Sequence, residues 1–208
     1  MKVITFYTTG EAKEQKKYQS LANKLVQSGK PFGIDVVAYH KGYPGCWRDA
    51  LYLKAKVIRE ALSDFPKDDI LWLDADSYFV SHPSLLFQFP ESKHTAGYCA
   101  TKGWFWGCTH WFRNTPQSVA LVESWIKENE EYNEYLDDHN FFYMVNRDKK
   151  IGMFTDLPPT YAWLPRYHRP RFGRATPVII QGMTGCNGNM EARTEQAKNR
   201  PWGDAREY

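Results

Sequence analysis

The sequence predicts an α/β fold: one domain built on a mixed, mainly parallel sheet flanked by helices. Three observations carry that expectation. Strand-like and amphipathic helix-like patterns alternate over residues 2–73. The third strand pattern, Ile70-Leu71-Trp72-Leu73, is an unbroken apolar run of the type buried on both faces of a parallel sheet. Polar turns follow the first and third strands at Thr8-Thr9-Gly10 and Asp74-Ala75-Asp76. Alternation at this spacing implies right-handed crossovers between parallel strands.

The elements follow in order. Residues 2–8 read as the first strand, ended by a polar turn with a permissive glycine. Residues 11–28 read as a helix, with Leu21, Leu25 and Val26 on one face and Lys13, Glu14, Lys16 and Lys17 in water. Gly29-Lys30-Pro31 breaks it; residues 34–39 form a second strand and 47–62 a second helix. Beyond the third strand the pattern changes. Two strands over 96–101 and 105–112 are joined by a turn at Lys102-Gly103, and a helix runs from Asn114, its N-cap, through Glu128. A short polar helix holds Asp137-Asp138-His139-Asn140, with late strands at 151–155 and 178–181. From Gly182 onward the chain is polar, a loop, lid or frayed end.

Composition narrows the functional classes. The 208 residues are 42% hydrophobic and 25% charged, which suits one soluble packed core. A net charge of +3 is too small for a general nucleic-acid coat. The 16% of aromatic residues would mostly fill the core, with a minority free to cover sugar faces or bases. Cys46, Cys99, Cys108 and Cys186 show no close ligand spacing, which argues against zinc. No apolar leader follows Met1-Lys2 and no apolar run reaches spanning length, so reduced thiols, a cytoplasmic location and no membrane span are expected.

Asp74 and Asp76 are the first candidates for chemistry. Carboxylates at i and i+2 where a strand ends can both reach one hard cation, because the chain is leaving the pleat. Mg²⁺ and Mn²⁺ take oxygen ligands and share them with substrate phosphates. A cation so placed neutralises a departing diphosphate. The plainer alternative is a strand-end turn whose aspartates bond local backbone groups. Ligands of such sheets bind outside the carboxyl ends of the strands, so Thr8-Thr9-Gly10 and Asp74-Ala75-Asp76 should meet in space.

The stretch from Asp68 to Val80, Asp-Asp-Ile-Leu-Trp-Leu-Asp-Ala-Asp-Ser-Tyr-Phe-Val, resembles the metal-binding segment of GT-A-type glycosyltransferases, the nucleotide-diphospho-sugar transferase superfamily. Upstream, Lys54-Ala55-Lys56-Val57-Ile58 is similar to the Lys-containing helix that precedes that segment in many members. Downstream, Gly107 through Trp125 resembles their glycine-then-Arg-Asn-Thr segment, here Arg113-Asn114-Thr115. Asp137-Asp138 stands where members carry an acidic pair or Asp-Gln, and Leu157-Pro158-Pro159-Thr160-Tyr161 resembles their late Leu-Pro-x-x-Tyr stretch. The resemblance spans residues 2–181, with the motifs in family order.

The resemblance implies a single GT-A (Rossmann-like) domain: a donor-binding half over 1–101, an acceptor-side half over 102–181 and a polar tail over 182–208. It implies a metal-dependent hexosyl- or pentosyltransferase. The donor would be a nucleoside diphosphate sugar, UDP ahead of GDP, the acceptor a hydroxyl, the cofactor Mn²⁺ or Mg²⁺, and retention is preferred to inversion. Asp74 and Asp76 would hold the metal and, with Ala75, meet the diphosphate. Tyr7, Thr8, Thr9 and Gly10 would hold the nucleoside, with Tyr7 against the base. Arg48 and Lys54 would supply charge to the diphosphate, with Trp106 and Gly107 also on the donor. Asp137 and Asp138 form the catalytic pair, one serving as general base in an inverting enzyme. In a retaining one Asp138 would sit beside the anomeric carbon. An acidic pair favoured by a helix dipole is the alternative.

The chain departs from the family at one point. Many metal-dependent members place a His after the last strand as a third protein ligand, whereas here Ile179-Ile180 runs into Gln181-Gly182-Met183. Gln181 could offer a carbonyl oxygen, or water and phosphate could fill the position; His110, His139 and His168 read better as structural or surface residues. Arg166, His168, Arg169, Arg171 and Arg174, interleaved with Tyr167 and Phe172, read as a solvated loop, or as a contact to an anionic acceptor such as DNA or to the donor diphosphate. The acceptor stays open among a glycan, a protein, a small molecule and a hydroxylated DNA base. So little acceptor apparatus is compatible with a phage-type enzyme. Two other classes remain: a non-catalytic sugar-nucleotide or glycan binder, which turnover would separate, and a haloacid-dehalogenase-like phosphohydrolase. The latter would place Asp-x-Asp on its first strand, not the third.

Overall fold

The computed structural model describes residues 1–9, 12–100, 104–133, 135–173 and 175–182. Gly10, the turn at Lys102-Gly103, Arg174, Cys186 and nearly all of the polar tail lie outside the described residues. The alternation expected at the start is present: β1 (Lys2–Thr9), α1 (Ala12–Gly29), β2 (Val36–Gly42), α2 (Trp47–Asp64) and β3 (Ile70–Leu73). A two-residue strand, β4 (Tyr78–Phe79), follows, then β5 (Thr95–Ala100) and β6 (Trp104–Phe112). The remainder is α3 (Pro116–Glu131), α4 (Asp137–Arg147), β7 (Phe154–Asp156), α5 (Pro165–Phe172) and β8 (Ile179–Ile180).

The main sheet has the order β2-β1-β3-β6-β5-β7, and β8 pairs separately with β4. β1 is parallel to β2 and β3, and β5 is parallel to β7. Only β6 runs against its neighbours. The sheet is therefore mixed and mainly parallel. All of β3 is buried, and its side chains alternate between two cores as pleating requires. Ile70 and Trp72 join Ile58 of α2, Trp125 of α3 and Phe141 of α4. Leu71 and Leu73 face the other way, toward Leu25 of α1, Tyr161 and Ile179. Helices thus cover both faces.

Four local differences from the expected pattern have physical causes. α3 is capped by Thr115, whose hydroxyl accepts from the Ser118 N–H at 3.3 Å, and not by Asn114. Pro116 at the first helical position forces the residue before it into extended backbone, the conformation an N-cap needs. Asn114 instead donates to the carbonyls of Leu62 and Phe65 at 2.9 Å each, tying the start of α3 to the end of α2. α4 reads as polar, yet every residue from Asp137 to Val145 is buried. Its acidic first turn points into the site rather than into water. The strand expected over 151–155 begins only at Phe154, after a 3-10 turn over Ile151–Met153. The basic segment expected as a loop is the helix α5, organised around His168, which is 0% exposed.

Cys46, Cys99 and Cys108 are free thiols. Among the described residues no helix is long and apolar enough to cross a membrane.

Candidate active site

The parallel pairing of β1 with β3, Ile4 opposite Trp72, brings their carboxyl ends side by side. At that edge the Asp74 N–H makes one more bond, to the Cys108 carbonyl at 3.1 Å, before the chain turns. The Ser77 N–H closes the turn on the Asp74 carbonyl at 3.0 Å. Ala75 is buried, and Asp74 and Asp76 are half-buried with access to the edge. The indole N–H of Trp72 donates to Asp74 Oδ1 at 3.1 Å, which orients that carboxylate. Trp72 was not singled out from the sequence, although its position two residues before Asp74 on the same strand face was a signal.

Lys54 joins the two acidic segments. It extends from α2 and is 5% exposed. Its ammonium lies 2.9 Å from Asp137 Oδ2 and 3.6 Å from Asp74 Oδ1, and it donates to the Gly107 carbonyl at 3.1 Å. It also sits 5.8 Å from the centre of the Trp72 ring. Burial pushes the Lys54 ammonium toward neutrality, but Asp137, Asp74 and Asp138 outweigh that effect and raise its pKa. Burial raises the Asp137 pKa, and Lys54 only partly opposes the shift. Asp138 is 7% exposed, and its Oδ1 accepts the His139 N–H at 3.0 Å.

Gly107 explains how these groups come so close. A Cβ there would lie 3.0 Å from Lys54 Nζ and 3.1 Å from Asp138 Cβ. A side chain there would press on both neighbours, so glycine suits the close approach.

Gln181 lies beside the aspartate turn, and its side chain is committed. Its amide oxygen accepts the Ser77 hydroxyl, and its Nε2 donates to Thr109 Oγ1 at 2.6 Å. Thr109 in turn donates to the Tyr161 carbonyl at 2.8 Å. All four residues are buried. Neither Ser77 nor Thr109 carried a distinguishing sequence signal, since their roles depend on a partner far along the chain.

The remaining candidates are spread more widely. Tyr7 is half-buried and stacks on His40, with ring centres 5.2 Å apart and planes 19° apart. Thr8 and Thr9 pair with Lys41 and Gly42 at the end of β1. Arg48 is exposed, and its guanidinium donates to the Asn133 carbonyl at 3.5 Å. Trp106 is buried on the opposite sheet face from Gly107, against Tyr167 at 4.9 Å and His168 at 5.4 Å. His110 and His139 are buried, and His110 Nε2 bonds Thr95 Oγ1 at 2.7 Å.

The donor set suits a hard cation shared with a ligand. Asp74 Oδ2 has no protein bond among the described residues, and the Asp74 side chain is 37% exposed. Among the described residues no group of three or more His, Cys, Asp or Glu side chains is arranged to hold a metal. An ion at Asp74 and Asp76 would take its other oxygens from phosphate and water, the usual habit of Mg²⁺.

No protein-family profile matches the sequence, and a search of curated proteins finds no match. Solved structures do match. The crystal structure of a glycosyltransferase involved in the glycosylation of the major capsid of PBCV-1 superposes with a TM-score of 0.69 at 13% identity, over 94% of this chain and 98% of that one. The glycosyltransferase GlyE of Streptococcus pneumoniae TIGR4 matches with a TM-score of 0.59 at 14% identity, and its apo form does so at 15%. Each GlyE match takes in 86% of this chain and 54% of GlyE, so this chain spans about half of GlyE. At such identities the likeness is one of architecture: this chain has a glycosyltransferase fold.

Proposed function

We propose that this protein is a glycosyltransferase that moves a hexose or pentose from a nucleoside diphosphate sugar, a UDP-sugar first, to a hydroxyl acceptor. The observation that supports this reading best is the buried Lys54, bridging Asp74 and Asp137 at the carboxyl edge of a glycosyltransferase-type sheet. Tyr7 and the end of β1 are assigned to the nucleoside. Asp74 and Asp76 are assigned to Mn²⁺ or Mg²⁺, which when bound would offset the charge of the leaving diphosphate. Lys54 holds Asp74 and Asp137 in register. Asp138, across Gly107 from Lys54, is the residue assigned to the reacting sugar.

Retention is the preferred outcome. In that route the bond from the anomeric carbon to the β-phosphate oxygen breaks on the face where the acceptor oxygen attaches. The acceptor proton passes to the departing phosphate oxygen, and the Asp138 carboxylate stabilises the positive charge developing on the sugar.

A thermal-shift screen of UDP-, GDP- and TDP-sugars, with and without Mn²⁺, tests the reading. A donor at ~100 times its Kd stabilises the folded state by about 2.7 kcal/mol. The expected result is a Mn²⁺-dependent shift with a UDP-sugar that Asp76→Ala removes. No shift with any donor would reject the proposal. NMR of the product anomer decides the stereochemistry, since a β-linked product from an α-linked donor rules out retention.

A further inference from the structure

The two oxygens of the Asp74 carboxylate have different surroundings. Oδ1 accepts the Trp72 indole N–H at 3.1 Å, and the Lys54 ammonium stands 3.6 Å from the same atom. Oδ2 has no protein bond among the described residues. Trp72 and Asp74 lie two residues apart, so their side chains leave the strand end on the same face.

This arrangement is stiff, because Trp72 belongs to the core as much as to the site. The residue is 2% exposed. Its backbone is paired on both sides, opposite Ile4 of β1 and His110 of β6. Its ring rests against Phe6, with centres 5.5 Å apart, in the same core cluster as Ile58 of α2. Lys54 is fixed in its turn by Asp137 and the Gly107 carbonyl. If Asp74 rotated to offer both oxygens to a ligand, the buried indole N–H would lose its acceptor, an outcome that costs more than the bond itself is worth.

The consequence concerns which cation the aspartate turn accepts. Ca²⁺ gathers about six to eight oxygens and readily takes both oxygens of one carboxylate. Mg²⁺ and Mn²⁺ are satisfied by octahedral sets in which single carboxylate oxygens are completed by phosphate and water. Gln181 adds nothing toward the larger set, since its amide is committed to Ser77 and Thr109. We infer that Trp72, backed by Lys54, reserves Oδ1 of Asp74 and leaves Oδ2 alone for the cation, which makes Trp72 a positioning residue that favours Mg²⁺ or Mn²⁺ over Ca²⁺. The inference rests on the assignment of Asp74 and Asp76 to a metal shared with the donor diphosphate.

Cation competition tests it. Mn²⁺ is bound to the protein in the presence of UDP, followed by electron paramagnetic resonance of the free ion, and displaced with Ca²⁺, with protein-free UDP as the reference. Wild type is compared with Trp72→Phe, which keeps a ring in the core and removes the N–H. The preference for Mn²⁺ over Ca²⁺ should fall about tenfold in the variant, as expected for losing one hydrogen bond to a charged group. A merely structural role would weaken both cations in parallel, so an unchanged preference overturns the inference and leaves the metal assignment standing. Absence of Mn²⁺ binding to wild type rejects the metal assignment and the inference with it. Wild type alone gives a second measurement that does not depend on the variant folding. In proton–nitrogen correlation spectra the Trp72 indole proton should keep its hydrogen-bonded, downfield position when Mg²⁺ and UDP bind, and movement upfield to the position of a free indole overturns the inference.

Discussion

Lys54 is the residue on which the site turns. A buried ion pair contributes little net stability, because desolvation offsets its Coulombic attraction, but removing one partner strands the other. Lys54→Met should therefore cost about 3–5 kcal/mol, since Asp137 would lose the cation 2.9 Å away. Adding Asp137→Leu should recover much of that loss, and urea denaturation of the single and double variants measures the coupling. Equal stabilities for Lys54→Met and wild type would contradict the bridge. Gly107→Ala probes the same space from the strand side. Its Cβ would meet Lys54 Nζ at 3.0 Å and Asp138 Cβ at 3.1 Å. The expected cost is about 1–3 kcal/mol, as in overpacked cores, together with a weaker donor shift; an unaltered melting temperature and shift would show the cluster to be looser than these distances.

At the scale of elements, β8 and β4 form a clasp that holds the aspartate turn. Their pairing is only Tyr78–Ile180 and Phe79–Ile179, too short to be stable alone. The hydrogen bonds of Gln181 to Ser77 and Thr109 extend it across the end of β6. Gln181→Ala leaves both hydroxyls short of a buried partner and should cost about 1–3 kcal/mol. It should also reduce the Mn²⁺-dependent donor shift, because Ser77 follows Asp76 directly. Gln181→Glu keeps the oxygen for Ser77 and loses the donor for Thr109. A melting temperature equal to wild type in Gln181→Ala would show that the clasp does not depend on this residue.

Across the whole molecule, two buried histidines contribute to the response to acid. His168 Nδ1 accepts the Leu164 N–H at 2.8 Å, so the proton sits on Nε2, which faces the Tyr98 hydroxyl at 3.0 Å. Protonating Nδ1 would set one N–H against another at the start of α5. Burial and then Arg171 depress this histidine to about 4. Burial, with a smaller contribution from Lys54, holds His110 well below its usual range. Both groups have folded pKa values below their unfolded ones, so the stability they support is whole above about pH 6.5 and is lost as pH falls through the folded values. Asp137 acts in the opposite sense: its raised pKa favours the protonated folded form and partly offsets the loss. Melting temperature should therefore fall from pH 6.5 toward 4.5, and His168→Gln should flatten the decline. A flat profile in wild type would mean that these imidazoles are not held neutral.

Much of this was legible along the chain, for a physical reason in each case. The periodicity of residues 2–73 and the unbroken run Ile70–Leu73 encode which faces are buried, and burial on both faces calls for a sheet covered by helices on either side. The aspartate turn was readable because a strand end, an apolar run and two carboxylates are all local. What depends on distant partners was not. Asn114 lost the cap of α3 because Pro116 and the end of α2 claimed it, and the basic segment became helix α5 because His168 could bury among five aromatic rings. The sequence by itself determined the α/β architecture and the carboxylates at the end of its third strand. Only the tertiary structure decided that Lys54 joins Asp74 to Asp137, that Gln181 is held by Ser77 and Thr109, and that Arg48 meets the Asn133 carbonyl, because each outcome is a contact between segments tens of residues apart whose competing partners become visible only after folding.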